Sequence, residues 1–291
     1  MRPQAGVALA RHTSLRVGGP ADFFFEARGR DELATALQWA RAEGVPVRVI
    51  GGGSNLLVAD DGVDGLVIKM VSASFEVSGN TVRADAGVNL ANMARRLAKQ
   101  GFGGLEWAAN VPGTVGGAVV NNAGAFGGDT ASCLVSATIL AADGHVRRLT
   151  HGELAYAYRT SVLKRREAGD VAVVDAVFKV QPSTPEEADG RVKEFNAQRM
   201  RSQPRILSAG SVFANPDGDF AGRLIEAAGL KGQRMGGAQI SEQHANFIVN
   251  PGGATASDVY ALLKCAQQRV LEHSGVRLRP EIELFGRWPS E

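Results

Sequence analysis

The sequence predicts a mixed α/β protein of the α+β class, made of two lobes followed by a separate α+β domain. Its 291 residues reach the size at which single hydrophobic cores give way to several domains. The chain opens with a strand, helix, strand pattern and then carries two glycine-rich tracts, 51–55 and 110–128. A break at 182–187, which combines two prolines with two glutamates, predicts the start of the last domain.

The first lobe is assigned to residues 1–70. Apolar Phe23-Phe24-Phe25 predicts a buried strand, and residues 31–42 have helical periodicity that stops at Gly44. Residues 45–50 predict the next strand, which leads directly into the first glycine-rich tract. We therefore expect a functional loop at the end of this strand.

The second lobe is assigned to residues 71–181. Turn signals at Gly79-Asn80 and Asp143-Gly144 separate apolar segments that predict strands. The predicted elements are strands 75–77 and 81–86, helix 90–99, and strands 134–141, 145–149 and 171–180.

The third domain is assigned to residues 182–291. After the proline break, acidic residues in the first turn predict a helix that runs to Arg199. The further predicted elements are strand 211–214, helix 220–228, strand 246–250, helix 257–273 and an alternating strand at 279–286.

Composition excludes several classes of protein. The formal net charge is +2, from 32 basic and 30 acidic residues, so no global field would recruit nucleic acid or an anionic membrane. No stretch approaches the roughly 18 apolar residues of a membrane span, and the N-terminus lacks an apolar signal core. Cys133 and Cys265 lie far apart without metal-ligand spacing. We expect a soluble cytoplasmic protein with no metal site, no membrane partner and no nucleic-acid partner.

The first glycine-rich tract consists of Gly51, Gly52, Gly53, Ser54 and Asn55. Successive glycines let a backbone turn sharply and aim its N–H groups at an anion, although a purely structural turn explains them equally well. A Rossmann fingerprint would need glycine at position 56, where Leu56 stands, followed by a helix. No Gly-Lys-Ser/Thr sequence follows either tract, so a P-loop is excluded too.

The second tract is more distinctive. Pro112-Gly113-Thr114 predicts the start of a short helix whose free N–H groups face a pyrophosphate. Gly116 and Gly117 then permit close approach of the ligand. Two anion loops on adjoining lobes predict a dinucleotide cofactor.

Together the two tracts resemble the FAD-binding domain of p-cresol methylhydroxylase-type flavoproteins, and 110–128 resembles its UDP-N-acetylenolpyruvoylglucosamine reductase branch. The resemblance implies FAD as cofactor and NADPH as reductant. Oxidases of that superfamily often tether the flavin through a histidine near the first tract, but none of the five histidines lies between 13 and 143. Noncovalent FAD is therefore expected. The cofactor-binding residues are predicted to be Gly51, Gly52, Gly53, Ser54, Asn55, Leu56, Val111, Pro112, Gly113, Thr114, Gly116, Gly117, Asn122 and Gly124.

Three further motifs resemble the same family and imply its catalytic residues. In Tyr158-Arg159-Thr160-Ser161, Arg159 matches the arginine that polarises the substrate carboxylate, with Tyr158 beside the substrate. In the 208–216 segment, Ser211 matches the proton-donating serine. Near the C-terminus, Glu281 matches the catalytic glutamate. Without the resemblance, these residues would be interpreted as a surface ion pair, a strand edge and a solvated acid.

Two substrate-contacting residues, Asn215 and Gln239, are implied in the same way. Ala214 stands where the family usually has lysine, which removes a cation near the uridine diphosphate site. Arg205 and Lys231 are candidates to compensate. His244, in the 236–250 motif, is expected to be an ordinary interior histidine, because no second histidine lies at metal spacing.

The resemblance implies reduction of UDP-N-acetylglucosamine enolpyruvate to UDP-N-acetylmuramate, a peptidoglycan precursor. No inserted loop is apparent between 159 and 211, so the chain resembles the short form of the family, without the extra substrate-covering loop. We expect a monomer, while the choice between NADPH and NADH stays open. Another FAD-dependent oxidoreductase of this fold and a catalytically silent nucleotide-binding protein remain the alternatives.

Overall fold

The computed structural model describes residues 1–289 and divides into two compact units. The last two positions of the predicted third domain, 290 and 291, lie outside the described residues. The first unit comprises Met1–Gln4, Phe24–Gly52 and Gly65–Arg199, and the second comprises Ala5–Phe23, Gly53–Asp64 and the residues from Met200 onward. The division of the chain into 1–70, 71–181 and 182–291 stays a prediction.

The strands are numbered in chain order. Those of residues 1–150 are Gln4–Ala8 (β1), Pro20–Ala27 (β2), Val47–Ile50 (β3), Leu56–Val58 (β4), Val63–Met70 (β5), Phe75–Ser78 (β6), Thr81–Asp85 (β7), Phe102–Gly103 (β8), Gly124–Ala125 (β9), Gly128–Asp129 (β10), Leu134–Ala141 (β11) and Val146–Thr150 (β12). The later strands are Val171–Lys179 (β13), Gln181–Pro182 (β14), Leu207–Ser211 (β15), Arg234–Met235 (β16), Ala238–Ile240 (β17), Phe247–Asn250 (β18) and Glu283–Phe285 (β19).

The α-helices are Arg30–Glu43 (α1), Leu90–Lys99 (α2), Val115–Asn121 (α3), Thr130–Cys133 (α4), Pro185–Ser202 (α5), Ala221–Ala227 (α6) and Ala256–Ser274 (α7). Short 3-10 helices span Leu9–His12 and Glu106–Asn110. Among the described helices, none is both long enough and apolar enough to cross a membrane.

The first unit is built around a five-stranded antiparallel sheet in the order β12-β11-β13-β7-β6. Its central strand β13 is almost continuously apolar, and the sheet packs with α2 and α3 into one core that contains Met93, Val119 and Phe178. A smaller sheet pairs β3 with β5 in parallel. The predicted strands 75–77, 81–86, 134–141, 145–149 and 171–180 and the predicted helix 90–99 are all observed in the predicted order, whereas the short elements β8, β9, β10, α4 and β14 were not predicted.

Helix α2 shows why the local prediction succeeds. Oδ1 of Asn89 accepts a hydrogen bond from the backbone N–H of Asn92 at 2.9 Å, which caps the first turn. Leu90, Met93 and Leu97, spaced three or four residues apart, are all buried. The observed helix, Leu90–Lys99, has the predicted boundaries.

The second unit contains the antiparallel sheet β15-β18-β17-β16, against which α7 packs. Thr255 and Asp258 form a capping box at the start of α7, and Gly275 ends it with φ 72°. Strand β4 pairs in parallel with β19. The predicted helices 220–228 and 257–273 are thus observed within two residues of their predicted limits.

The predicted strand at 211–214 is wrong, because β15 ends where that strand was expected to begin. Gly210 has φ 77°, and the pairing of β15 with β18 shifts register between Ser208 and Ser211. The backbone therefore leaves the ladder after Ser211, and Phe213 forms an isolated bridge with Pro280 instead.

The predicted alternating strand at 279–286 is also too long, since β19 covers Glu283–Phe285 alone. Its partner β4 has three residues, which limits the ladder to that length. Glu281 precedes the strand, and its backbone N–H bonds to the carbonyl of Val212. Glu281 therefore lies outside the strand, whereas the predicted strand at 279–286 would have included it.

Candidate active site

The two glycine-rich tracts touch each other within the first unit. A Cβ atom added to Gly51 would lie 2.2 Å from Oγ1 of Thr114, and one added to Gly52 would lie 2.9 Å from Cα of Gly113. A side chain has no room at either position. Residues predicted to bind one cofactor from separate tracts therefore lie side by side here. Val111 and Pro112 connect the preceding 3-10 helix to this contact.

Gly53 belongs to the second unit and is required for another reason. Its φ is 62°, and a Cβ atom there would lie 2.0 Å from the carbonyl oxygen of His12. Its own carbonyl accepts a hydrogen bond from the N–H of Ser14 at 3.0 Å. All three glycines of the first tract thus have protein atoms where a side chain would be. The absence of a side chain at these positions is thus a packing requirement, and the binding of an anion by their N–H groups stays a prediction.

The start of α3 also differs from the prediction of free N–H groups. The N–H of Val115 donates to the carbonyl of Val88 at 2.9 Å, and the N–H of Gly116 donates to that of Ala86 at 2.8 Å. The N–H of Gly117 has only a long bond, 3.4 Å, to Oγ1 of Thr114. The N–H groups of Val115 and Gly116 are therefore used by the fold, whereas the role of Gly117 in binding a ligand stays a prediction.

Arg159 lies on the second glycine-rich tract. Its guanidinium Nη2 donates to the carbonyl of Gly124 at 2.7 Å, and Nη1 reaches the carbonyl of Asn122 at 3.4 Å. Its φ of 56° is unusual for a residue with a side chain, and its guanidinium lies 5.3 Å from the ring centroid of Tyr158, which is half exposed. The structure thus brings together four predicted site residues: Asn122, Gly124, Tyr158 and Arg159.

Two residues that the sequence did not single out as functional fix this loop. The hydroxyl of Tyr156 donates to the carbonyl of Val119 at 3.0 Å, and that of Ser161 donates to the carbonyl of Val120 at 2.6 Å. Ser161 is fully buried, and burial raises the pKa of Tyr156, so the tyrosine hydroxyl stays a protonated donor. Both lie within three residues of Arg159, and that proximity is the signal that could have identified them.

The second unit brings Ser211, Glu281 and Asn55 together through backbone contacts. The N–H of Glu281 donates to the carbonyl of Val212, the residue after Ser211, at 2.8 Å. Nδ2 of Asn55 donates to the carbonyl of Glu281 at 3.1 Å. The backbone of the predicted catalytic glutamate is therefore bonded to the residue that follows the predicted proton donor, and Asn55 has a structural role besides the one predicted for it. Ser54 and Leu56, on either side of Asn55, are half-buried.

The predicted substrate contacts, Asn215 and Gln239, have local partners in the same unit. Oδ1 of Asn215 accepts from the N–H of Ala221 at 3.1 Å, at the start of α6. The Gln239 amide donates to the carbonyl of Gly232 at 3.3 Å and accepts from Arg234 at 3.2 Å. The predicted contacts of Asn215 and Gln239 with the substrate stay predictions.

Ala214, which stands where the family usually has lysine, is bonded through its backbone to a basic residue. Ala214 is buried, and its N–H donates to the carbonyl of Arg279 at 3.0 Å. Lys231 forms an ion pair with Glu226 at 2.8 Å, and Arg205 is exposed. Compensation by Arg205 or Lys231 stays a prediction. The described residues include no group of three or more potential ligands that could hold a metal ion.

His244 is an interior histidine with a defined hydrogen bond. Its Nδ1 accepts from the N–H of Asn246 at 3.2 Å, and its ring lies 4.9 Å from the ring centroid of Phe247. Burial lowers the pKa of His244, and Lys231 lowers it further, while Glu226 opposes this shift. The neutral form, with Nδ1 as acceptor, is therefore the folded form.

We expect acidification to destabilise the protein partly through His244. Because its pKa is lowered from the ordinary value of 6.5, the unfolded chain binds a proton that the folded chain resists. Stability should therefore fall as the pH drops below about 6.5. Urea unfolding from about pH 7.5 to about pH 5.5 should show a steeper loss for the wild type than for His244→Gln. The exposed His273, changed to Gln, is the matched control; equal slopes for the wild type and His244→Gln would contradict the assignment.

Relatives in sequence and a solved structure match nearly the whole chain. A UDP-N-acetylenolpyruvoylglucosamine reductase 2 of Symbiobacterium thermophilum is 45% identical over 284 residues, covering 97% of this chain and 91% of the relative. This chain belongs to the UDP-N-acetylenolpyruvoylglucosamine reductase family. Another reductase of the family, from Rubrobacter xylanophilus, is 44% identical and covers 96% of the chain and 93% of the relative.

The family's two characteristic regions are both present. Residues 21–150 match an FAD binding domain, and residues 202–285 match the C-terminal domain of UDP-N-acetylenolpyruvoylglucosamine reductase. The crystal structure of the reductase from Thermus caldophilus superposes with a TM-score of 0.83 at 38% identity, covering 98% of this chain and 99% of that one. The predicted family and the predicted fold, an FAD-binding domain followed by an α+β domain, are confirmed.

Proposed function

We propose that this family member reduces UDP-N-acetylglucosamine enolpyruvate to UDP-N-acetylmuramate, with FAD as cofactor and NADPH as reductant. The observation that carries the proposal is the single-residue link between Ser211 and Glu281 through Val212, in a chain that matches reductases along 97% of its length. In the reaction the enolpyruvyl double bond gains one hydride and one proton, and NADPH is oxidised to NADP⁺. FAD, when bound, supplies the hydride chemistry.

The second glycine-rich tract fits a polar cofactor. Nδ2 of Asn110 and Oδ1 of Asn121 are buried, and no described residue satisfies them. Buried polar atoms normally have a partner, so a bound group with donors and acceptors is expected near this tract. Near this tract, the backbone of Gly52 is exposed and that of Gly113 is partly exposed. The N–H of Gly117 makes only a long hydrogen bond. We assign the diphosphate of FAD to these glycines.

The catalytic residues have separate tasks. Hydride addition to the carbon β to the carboxylate leaves negative charge that spreads onto that carboxylate. Arg159 stabilises this charge with its planar guanidinium, and the benefit grows as the charge develops. Ser211 protonates the adjacent carbon; its position compensates for its weak acidity, because the carbanion is strongly basic. Glu281 has two open roles: orienting the charged groups, or acting as a second acid.

The alternatives predict different measurements. Another FAD-dependent oxidoreductase of this fold would be reduced by a small alcohol or similar donor and would ignore the UDP-sugar. A catalytically silent protein would bind nucleotide and consume no NADPH. NADPH oxidation that depends on UDP-N-acetylglucosamine enolpyruvate, and that yields UDP-N-acetylmuramate, would support the proposal over both.

Several finer properties belong to the same proposal. We infer a cytoplasmic protein with no nucleic-acid or membrane partner from the balanced charge and ordinary apolar content, and we propose that it is a monomer. We also infer that two FAD-binding lobes, 1–70 and 71–181, precede a substrate-binding domain. Asn215, Gln239 and Tyr158 are assigned to the substrate.

The purified protein should be yellow, and denaturation should release its flavin. No histidine lies between residues 13 and 143, so the usual tether near the first tract is missing. Precipitation with acid, followed by absorbance spectra of the supernatant and the pellet, separates released from covalent flavin. A colourless protein that cannot be reconstituted with FAD would contradict the cofactor, and flavin that stays in the pellet would contradict noncovalent binding.

A further inference from the structure

The backbone that follows Ser211 lacks the support of a regular strand. Strand β15 pairs with β18 at Leu207 and Ser208, and again at Ser211 after a register shift. Beyond Ser211 the chain turns away and meets Pro280 through an isolated bridge. The two residues after Ser211, Val212 and Phe213, are 2% and 1% exposed, so water cannot satisfy their N–H groups.

One side chain replaces the missing ladder. Asn246 is 3% exposed, and its Oδ1 accepts from the N–H of Phe213 at 3.0 Å while its Nδ2 donates to the carbonyl of Phe213 at 2.8 Å. Its backbone carbonyl also accepts from the N–H of Val212 at 2.9 Å. The amide therefore pairs with Phe213 as a second peptide group would, at the point where the strand has ended.

The segment held in this way carries both predicted catalytic groups. Ser211 is the residue immediately before it, and the carbonyl of Val212 accepts the N–H of Glu281 at 2.8 Å and that of Ile282 at 3.3 Å. A shift of residues 212–213 would therefore move the serine directly and the glutamate through this bond. Misplacement of reacting groups by about 1 Å can slow a reaction by about 100-fold.

We propose that Asn246 is a positioning residue that fixes Ser211, and through Val212 also Glu281, for proton transfer to the substrate. The proposal rests on the proposed function, since it needs Ser211 to be the proton donor. Loss of the Asn246 amide leaves a buried N–H and a buried carbonyl of Phe213 without partners, and the segment has to shift to regain them. No part of this role involves the flavin.

Strand β18, which begins directly after Asn246, offers a matched control. Asn250, in β18, is 5% exposed; it donates to the carbonyl of Leu15 at 2.9 Å and accepts from the N–H groups of Gly252 at 3.0 Å and Ala254 at 3.2 Å. Its side chain makes three hydrogen bonds, whereas that of Asn246 makes two, and none of the three joins residues 211–213. Replacement of either asparagine by leucine removes a buried amide of similar size, so destabilisation alone should be comparable.

The test compares the holoenzymes of Asn246→Leu and Asn250→Leu by rapid mixing. Asn246→Leu should slow reoxidation of the reduced enzyme by UDP-N-acetylglucosamine enolpyruvate by about 100-fold, with flavin reduction by NADPH changed less than about threefold. Asn250→Leu should leave both half-reactions within about threefold of wild type. Amide hydrogen exchange at Val212 and Phe213 should accelerate in Asn246→Leu and not in Asn250→Leu, with or without substrate.

A double-mutant cycle separates positioning from general damage. In a Ser211→Ala background, Asn246→Leu should slow reoxidation much less than it does in the wild type, because the proton donor, one of the two groups it positions, is absent. Full additivity of the two slowdowns, or equal slowing by Asn250→Leu, would overturn the proposal. Should Asn246→Leu not fold, Asn246→Asp is the second variant, because it keeps the acceptor for the N–H of Phe213 and loses the donor to its carbonyl. Reoxidation of Asn246→Asp at the wild-type rate would also overturn the proposal. Wild-type reoxidation by Ser211→Ala itself would instead overturn the serine's role in the proposed function.

Discussion

Replacement of Ser211 by alanine is expected to leave flavin reduction by NADPH nearly intact and to slow reoxidation by UDP-N-acetylglucosamine enolpyruvate by about 10²- to 10⁴-fold, the usual contribution of a general acid. The serine acts after hydride transfer begins, so its loss removes an interaction made in the transition state. Turnover should therefore fall more than substrate affinity does.

Anaerobic mixing of prereduced enzyme with substrate, followed at the flavin absorbance, measures this step alone. Ser208→Ala, a change of the same kind in the same strand, is the control and should reoxidise at the wild-type rate. Ser211→Cys should recover part of the rate, because a thiol also donates a proton. A defect of Ser211→Ala confined to the NADPH step would refute the serine's role, as would reoxidation at wild-type speed.

Arg159→Lys should have the next largest effect, slowing substrate reduction by about 10²- to 10³-fold while flavin stays bound. A planar guanidinium makes two contacts at once, and here it already donates to the carbonyls of both Gly124 and Asn122. A lysine ammonium keeps the charge but cannot reproduce both the anchoring and a two-point contact with the carboxylate.

Steady-state rates and flavin content, measured on the same preparations, distinguish a catalytic loss from a loss of cofactor. Arg165→Lys is the matched control, because Arg165 lies on the same loop and pairs with Glu167 at 2.8 Å. It should keep its activity. Unchanged turnover in Arg159→Lys would remove Arg159 from the mechanism, and loss of flavin from that variant would assign it to cofactor binding.

Much of the fold could be predicted from the sequence because its signals are local. The Asn89 cap and the buried positions of α2 lie within ten consecutive residues, and Gly44 ends α1 with φ 67°. The Asp143-Gly144 turn joins β11 to β12 in the same way. The site residues could not be identified from local signals alone. Arg159, Ser211 and Glu281 were singled out by resemblance to a family, since each has an ordinary structural explanation by itself.

The sequence by itself thus determined most of the longer helices and strands, the family and the candidate residues, while the tertiary structure decided what those residues contact. Gly53 is needed because of the His12 carbonyl, and the N–H of Gly116 is already bonded to Ala86. Asn55 holds the carbonyl of Glu281 from 226 positions away, and Asn246 holds Phe213 from 33 positions away. Helix and turn signals extend over a few residues, whereas the partner of a buried N–H depends on which distant segments the fold brings together.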